Sequence, residues 1–206
     1  ATAGRAASGA CECSAAFRRA PDALCHTFTT MPTGGFSTKN SSVAYFDSVY
    51  FDCVFIFFML LAGINFSLHY QILRGKALAF WQDSECRFYI GAVVLTTLVV
   101  SLNIFGSVYE TLGQALRYGA FQVVSIVTTT GFASVDFEPW QAAAPFAAFL
   151  LLLAMFTGGC AGSTGGGMKV VRVMLLAKLA YHGIRKAYAP SVVRQVRLGK
   201  TLVDES

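Results

Sequence analysis

The chain has 206 residues, 55% of them hydrophobic and only 13% charged, with a mean hydropathy of +0.55. An ordinary soluble domain carries about 25% charged residues, so composition places this chain among membrane proteins. Its formal net charge of +5 comes from Lys and Arg set beside apolar runs, a pattern that fixes membrane topology and argues against nucleic acid as a partner.

Residues 1–21 have neither an initiator Met nor the apolar core of a signal peptide, and are expected to be an extracytoplasmic linker in a fragment of a longer protein. The six cysteines, Cys11, Cys13, Cys25, Cys53, Cys86 and Cys160, form neither a zinc spacing nor a disulfide framework, and Cys25-His26 lacks a second ligand pair. No cofactor and no transition metal is expected.

Asp22 to Thr30 is a short, weakly apolar piece that leads into Thr33-Gly34-Gly35-Phe36-Ser37-Thr38. Val54 to Leu68 is uncharged and extends outward through Tyr45, Phe46, Val49 and Phe51, about 20 residues, enough to cross ~30 Å of hydrocarbon. It ends at His69, Arg74, Lys76 and Arg87, a basic cluster expected on the cytoplasmic side, with residues 77–87 as a cytoplasmic loop. Phe88 to Ser107 is again uncharged and should return outward. Tyr118 to Val127 is too short to span and runs directly into Thr129-Thr130-Gly131-Phe132-Ala133-Ser134.

The two Thr-Gly-Phe stretches are near copies, 96 positions apart (131 − 35). A short helix that enters the membrane and stops at a Gly turn reads as a re-entrant pore helix, tolerated at depth where its backbone is buried in protein or lines water. Backbone carbonyls exposed there can replace the hydration shell of a cation. Asp47 and Asp52 follow the first copy, and Asp136 and Glu138 the second; they read equally as a cation-concentrating outer mouth and as solvated acidic loops.

From Trp140 to Met168 no residue is charged, yet the run is interrupted by Gly158-Gly159-Cys160-Ala161-Gly162-Ser163-Thr164-Gly165-Gly166-Gly167. So glycine-rich a stretch cannot propagate a helix. A discontinuous transmembrane segment is expected: helix through Phe156, a flexible loop under the filter, and helix again from about Lys169. Lys169, Arg172, Lys178, Arg185 and Lys186 put that end in the cytoplasm, so both Gly turns face one compartment.

Gly162 to Lys169 superficially resembles a phosphate-cradling loop, but Met168 holds the Lys position and no Ser or Thr follows Lys169. His26, His69 and His182 stand on separate segments, each read as an interfacial or loop residue, and nothing suggests an enzyme. A nucleotide-binding protein and a purely structural membrane module are the readings from other classes; neither accounts for the recurring Gly turn.

Residues 25–38, 62–70, 128–133 and 158–169, four motifs in order, together resemble the Trk/Ktr/HKT potassium transporter superfamily, closest to its bacterial TrkH branch. The resemblance implies an all-α, multi-pass protein of the bacterial inner membrane, with four helix, pore helix, helix repeats around one pore. Residues 22–76 would be the pore helix, filter and inner helix of the second repeat. Residues 88–189 would be the whole third repeat with its broken helix, and 190–206 a cytoplasmic segment leading to the fourth.

By that resemblance the filter is lined by carbonyls of Thr33, Gly34, Gly35 and Phe36 and of Thr129, Thr130, Gly131 and Phe132, with potassium as substrate. Gly158, Gly159, Cys160, Ala161, Gly162, Ser163, Thr164, Gly165, Gly166 and Gly167 would be the gating loop. Lys169 would be its cytoplasmic shoulder or a snorkelling topological lysine. The implied function is potassium uptake, by channel or symport, with a sodium-permeable or non-selective cation transporter as the alternative. Implied partners are membrane lipid, a second copy in a homodimer and a cytosolic nucleotide-binding regulatory subunit.

Overall fold

The computed structural model describes residues 21–76 and 79–188, with two short pieces at 196–198 and 201–203. The linker expected at 1–21 therefore lies, but for its last residue, outside the described residues, as do Cys11 and Cys13. The described chain is almost wholly helical, as its composition requires.

Helix α1 spans 21–30 and opens on Pro21, a residue suited to a first turn because its missing N–H would be unpaired there anyway. After the first Gly turn a 3-10 turn, Ser42–Phe46, leads into α2, Val49–Ala62. Here the expected single span from Val54 to Leu68 is corrected: the helix breaks at Gly63 to Asn65, and α3, Phe66–Leu73, leaves at 99° to α2. Asn65 is extended and its side chain accepts the Ser67 N–H at 2.9 Å, which caps α3 as a new helix. Gly63 meanwhile lies so close to the Tyr89 hydroxyl that a Cβ would collide with it.

The stretch 77–87, expected as loop, contains a short helix α4, Ala79–Gln82, and the start of α5, Ser84–Ile104. Asp83 accepts the Glu85 N–H at 3.0 Å and so sets the start of α5 four residues before Phe88, where the apolar run begins. Among the described residues α5 alone is long and apolar enough to cross a membrane as one straight helix.

Helix α6, Leu112–Val127, begins six residues earlier than the apolar signal at Tyr118, because its first turns are amphipathic and its charged Arg117 is accommodated by a partner. Pro145 then divides the next apolar run into α7, Glu138–Ala143, and α8, Pro145–Ala154. A residue before proline is disfavoured in the helical region, and Ala144 sits at φ −140°, ψ 64°. The Asn103 side chain accepts the Ala147 N–H at 3.1 Å and stitches α5 to the start of α8. Helix α9, Val170–Tyr188, follows the glycine loop, and β1, Val196–Leu198, pairs antiparallel with β2, Thr201–Val203.

The core lies around α6. Phe121, Val123 and Val124 are buried in it, together with Tyr89, Val93, Val100 and Ile104 of α5 and Met59 of α2. Gly119 permits the α5–α6 approach: a Cβ there would stand 2.6 Å from the Ser101 hydroxyl oxygen. Helix α6, too short to span, is thus enclosed by α5, α2 and α8, and enclosure in protein is the condition for leaving its end unwound inside a bilayer.

Candidate functional site: two glycine turns and a glycine loop

The ends of α1 and α6 repeat bond for bond. Thr33 N donates to Thr30 O at 3.1 Å, and Gly34 and Gly35 N to Thr29 O at 2.7 and 3.4 Å. At an offset of 96 residues, Thr129 N donates to Ile126 O at 2.9 Å, and Thr130 and Gly131 N to Ser125 O at 2.9 and 3.3 Å. The left-handed residues match as well: Thr33 and Gly35 at φ 56° and 67°, Thr129 and Gly131 at 58° and 84°. A side-chain hydroxyl locks each turn, Thr29 donating to Phe36 O at 2.9 Å and Ser125 to Phe132 O at 2.6 Å. A threonine in the left-handed region costs ~1–3 kcal/mol, and each turn holds one against that cost by this fixed set of bonds.

The two turns adjoin. Gly35 faces the Thr130 carbonyl so closely that a Cβ at 35 would overlap it, while the corresponding side of Gly131 is open. Phe132 is buried, stacked on His26 at 6.0 Å and edge-on to Phe55 at 5.2 Å; its counterpart Phe36 is exposed. Gly34 is exposed beside the Phe36 ring, and Thr130 is buried with its hydroxyl 2.8 Å from that of Thr128.

The expected flexible loop is tied, not loose. Its neck is closed by Gly158 N to Met168 O at 2.9 Å and Met168 N to Phe156 O at 3.2 Å, with Gly158 too near the Gly166 carbonyl to carry a Cβ. It docks in the α2–α3 break. That break leaves helix-end carbonyls without partners, and these are taken by His69 Nε2 on Leu61 O at 3.0 Å, the Thr164 hydroxyl on Ala62 O at 3.2 Å and Cys160 N on Gly63 O at 2.9 Å. Phe66 N in turn donates to Gly162 O at 3.1 Å.

The loop also reaches both Gly turns. Thr33 Oγ donates to Thr164 O at 3.1 Å, Thr164 Oγ to Met31 O at 3.0 Å, and Gly166 N to Thr129 Oγ at 2.6 Å; Gly165 is buried against Thr128 O. Ala161 N donates to the Glu85 carboxylate at 2.6 Å. Lys169 turns inward, its Nζ on Gly165 O and 3.4 Å from both Ser163 O and Ser163 Oγ. The loop follows a helix, α8, and not a strand, so it lacks the setting of a nucleotide-phosphate loop.

Several working residues escaped the sequence reading. His26 is neither interfacial nor in a loop: it is buried, Nδ1 donates to Asp22 O at 2.6 Å, and Nε2 is hydrogen-bonded to the Ser37 hydroxyl at 2.9 Å. Its counterpart at the same offset, Gln122, donates to Val135 O at 3.0 Å, so both brace the segment after the turn. Asp52 is corrected as well. It is 3% exposed and paired to Arg117 Nε at 2.6 Å, with Asp47 at 3.3 Å from the same guanidinium, so it is not a free mouth charge. Asp136 caps α7 through the Glu138 N–H at 3.0 Å. No group of three or more His, Cys, Asp or Glu suited to a metal occurs among the described residues.

A family model described as "TrkH: Cation transport protein" matches residues 7–206. The chain belongs to the TrkH family. It is 43% identical to the Trk system potassium uptake protein TrkH of Halomonas elongata, over 89% of this chain and 38% of that protein. It is 42% identical to the TrkH of Salmonella typhimurium over the same shares. The crystal structure of the potassium transporter TrkH from Vibrio parahaemolyticus matches with a TM-score of 0.81 and 37% identity, over 86% of this chain and 38% of that one. The chain therefore spans a little over a third of the length of these TrkH relatives. Family membership makes it a multi-pass, all-α protein of the bacterial inner membrane and a member of a transport family, not of an enzyme family.

Proposed function

We propose that this chain forms part of a potassium uptake pathway. Two of its filter segments are Thr33 to Phe36 and Thr129 to Phe132, and residues 158–167 with Lys169 are the gate. The observation that carries this is the abutment of Gly35 on the Thr130 carbonyl: two unwound main-chain turns with the same hydrogen-bond pattern meet at the ends of two short helices. Carbonyls gathered this way can stand in for water around a dehydrated cation. Residues 22–76 then serve as the pore helix, filter and inner helix of one repeat and 88–189 as the next repeat, with the open side of Gly131 and the exposed Phe36 ring as faces for further filter segments.

The relatives are named for potassium uptake, which favours potassium over the sodium-permeable reading. Their being described as proteins of a Trk system supports further subunits; a homodimer and a cytosolic nucleotide-binding partner are the ones we propose. The test is Gly35→Ser in the full-length protein, reconstituted in liposomes. A Cβ at 35 must push the Thr130 carbonyl away, so the potassium-to-sodium flux ratio should fall about tenfold, the equivalent of ~1.4 kcal/mol. An unchanged ratio in a correctly folded variant would refute the filter assignment.

A further inference from the structure

We infer that Glu85 is the latch of the glycine loop. Its carboxylate accepts the Ala161 N–H at 2.6 Å across 76 positions of sequence, and among the described residues it is the one acidic side chain bonded to the loop. The remaining ties to the loop come from main chain, from hydroxyls of Thr33 and Thr129, and from its own Thr164 and Lys169. A charged acceptor makes roughly twice as strong a hydrogen bond as a neutral one, so among the ties that reach residues 158–169 from other elements this contact is the strong one; the other charge-assisted bond, Lys169 on Gly165 O, lies within that segment.

The geometry of α5 sets the latch. Asp83 caps the helix on the Glu85 N–H, which fixes Glu85 in the first turn. Cys86, next to it, and Tyr89, one turn further on, are buried in the core, and that burial fixes the rotation of α5. Glu85 is half-buried and its carboxylate meets the loop where Ala161 stands between glycines that give the backbone little rigidity of its own. Cys160, next to Ala161, is 1% exposed with the loop in this position. Release of Ala161 should therefore uncover the Cys160 thiol.

This inference rests on the reading of residues 158–167 as a gate, and the test separates the two. In the full-length protein with every cysteine except Cys160 replaced by serine, the rate of Cys160 modification by a small methanethiosulfonate is compared with rubidium flux into liposomes. Glu85→Ala should speed labelling about tenfold and raise flux by a similar factor. Glu85→Gln keeps shape and an acceptor oxygen but loses the charge, so it should give about a threefold change and serves if Glu85→Ala does not fold. Unchanged labelling in a folded variant overturns the latch. Faster labelling with unchanged flux upholds the latch and overturns the gating role of the loop.

Discussion

Arg117 and the buried Asp52 form an ion pair, Nε to Oδ2 at 2.6 Å, that joins α6 to α2. The guanidinium also lies 4.9 Å from the Tyr118 ring and 3.3 Å from Asp47. Asp52→Ala removes the shielded partner and leaves the guanidinium with only the exposed Asp47 arm, so it should destabilise the protein by ~1.5–3 kcal/mol, the worth of a hydrogen bond to a charged group. Asp47→Ala, on the exposed arm, should cost less than ~1 kcal/mol. Thermal unfolding in detergent measures both, and equal effects would contradict the asymmetry.

Gly159 lies where a Cβ would come within 2.6 Å of Gly63 O and 2.7 Å of Ser163 Oγ. Gly159→Ala should lift the loop from the α2–α3 break without touching either Gly turn. Loss of ties worth ~1–2 kcal/mol corresponds to about a tenfold larger released population. Ion flux should rise with the potassium-to-sodium ratio retained; a fall in both would count against the loop as a barrier.

Ser125 and Thr29 occupy equivalent positions and make the same bond, to Phe132 O and Phe36 O. Ser125→Thr should therefore preserve function, because the first Gly turn already makes this bond with threonine. Ser125→Ala should cost ~1–3 kcal/mol, the penalty of leaving a buried acceptor unmatched. Comparison of melting temperature and potassium KM across the two variants tests this; a damaging Ser125→Thr would break the equivalence.

Asp22, at the start of α1, receives the Thr38 hydroxyl at 2.8 Å and pairs with Lys39 at 3.0 Å. These partners, the Thr38 bond first, hold its carboxyl below the ordinary range. A depressed carboxylate contributes stability that is complete above its unfolded value of about 4 and is lost as pH falls through the lower folded value. The melting-temperature advantage of the native protein over Asp22→Asn should thus be steady at neutral pH and shrink below about pH 4. An advantage that grows on acidification would reverse the sign.

The recurrence of the Gly turn at an interval of 96 residues was legible in the chain because left-handed backbone favours glycine, and a helix too short to span must end inside the membrane. The glycine loop was legible for a related reason, since no helix runs through so many glycines. Helix starts were less so: α5 and α6 begin before their apolar runs, where Asp83 supplies a cap and Arg117 finds a partner.

Hydropathy determined the class of protein, and the placing of glycines determined the positions of the unwound segments and the repeat. The break at Gly63 was decided only in three dimensions, because Asn65 can cap α3 only where the glycine loop and His69 take up the carbonyls that the break exposes. The same holds for the meeting of Gly35 with Thr130, for the pairing of Asp52 with Arg117 and for Glu85 on Ala161. Each joins residues far apart in sequence, and local pattern records what a segment must bury, not which distant partner satisfies it.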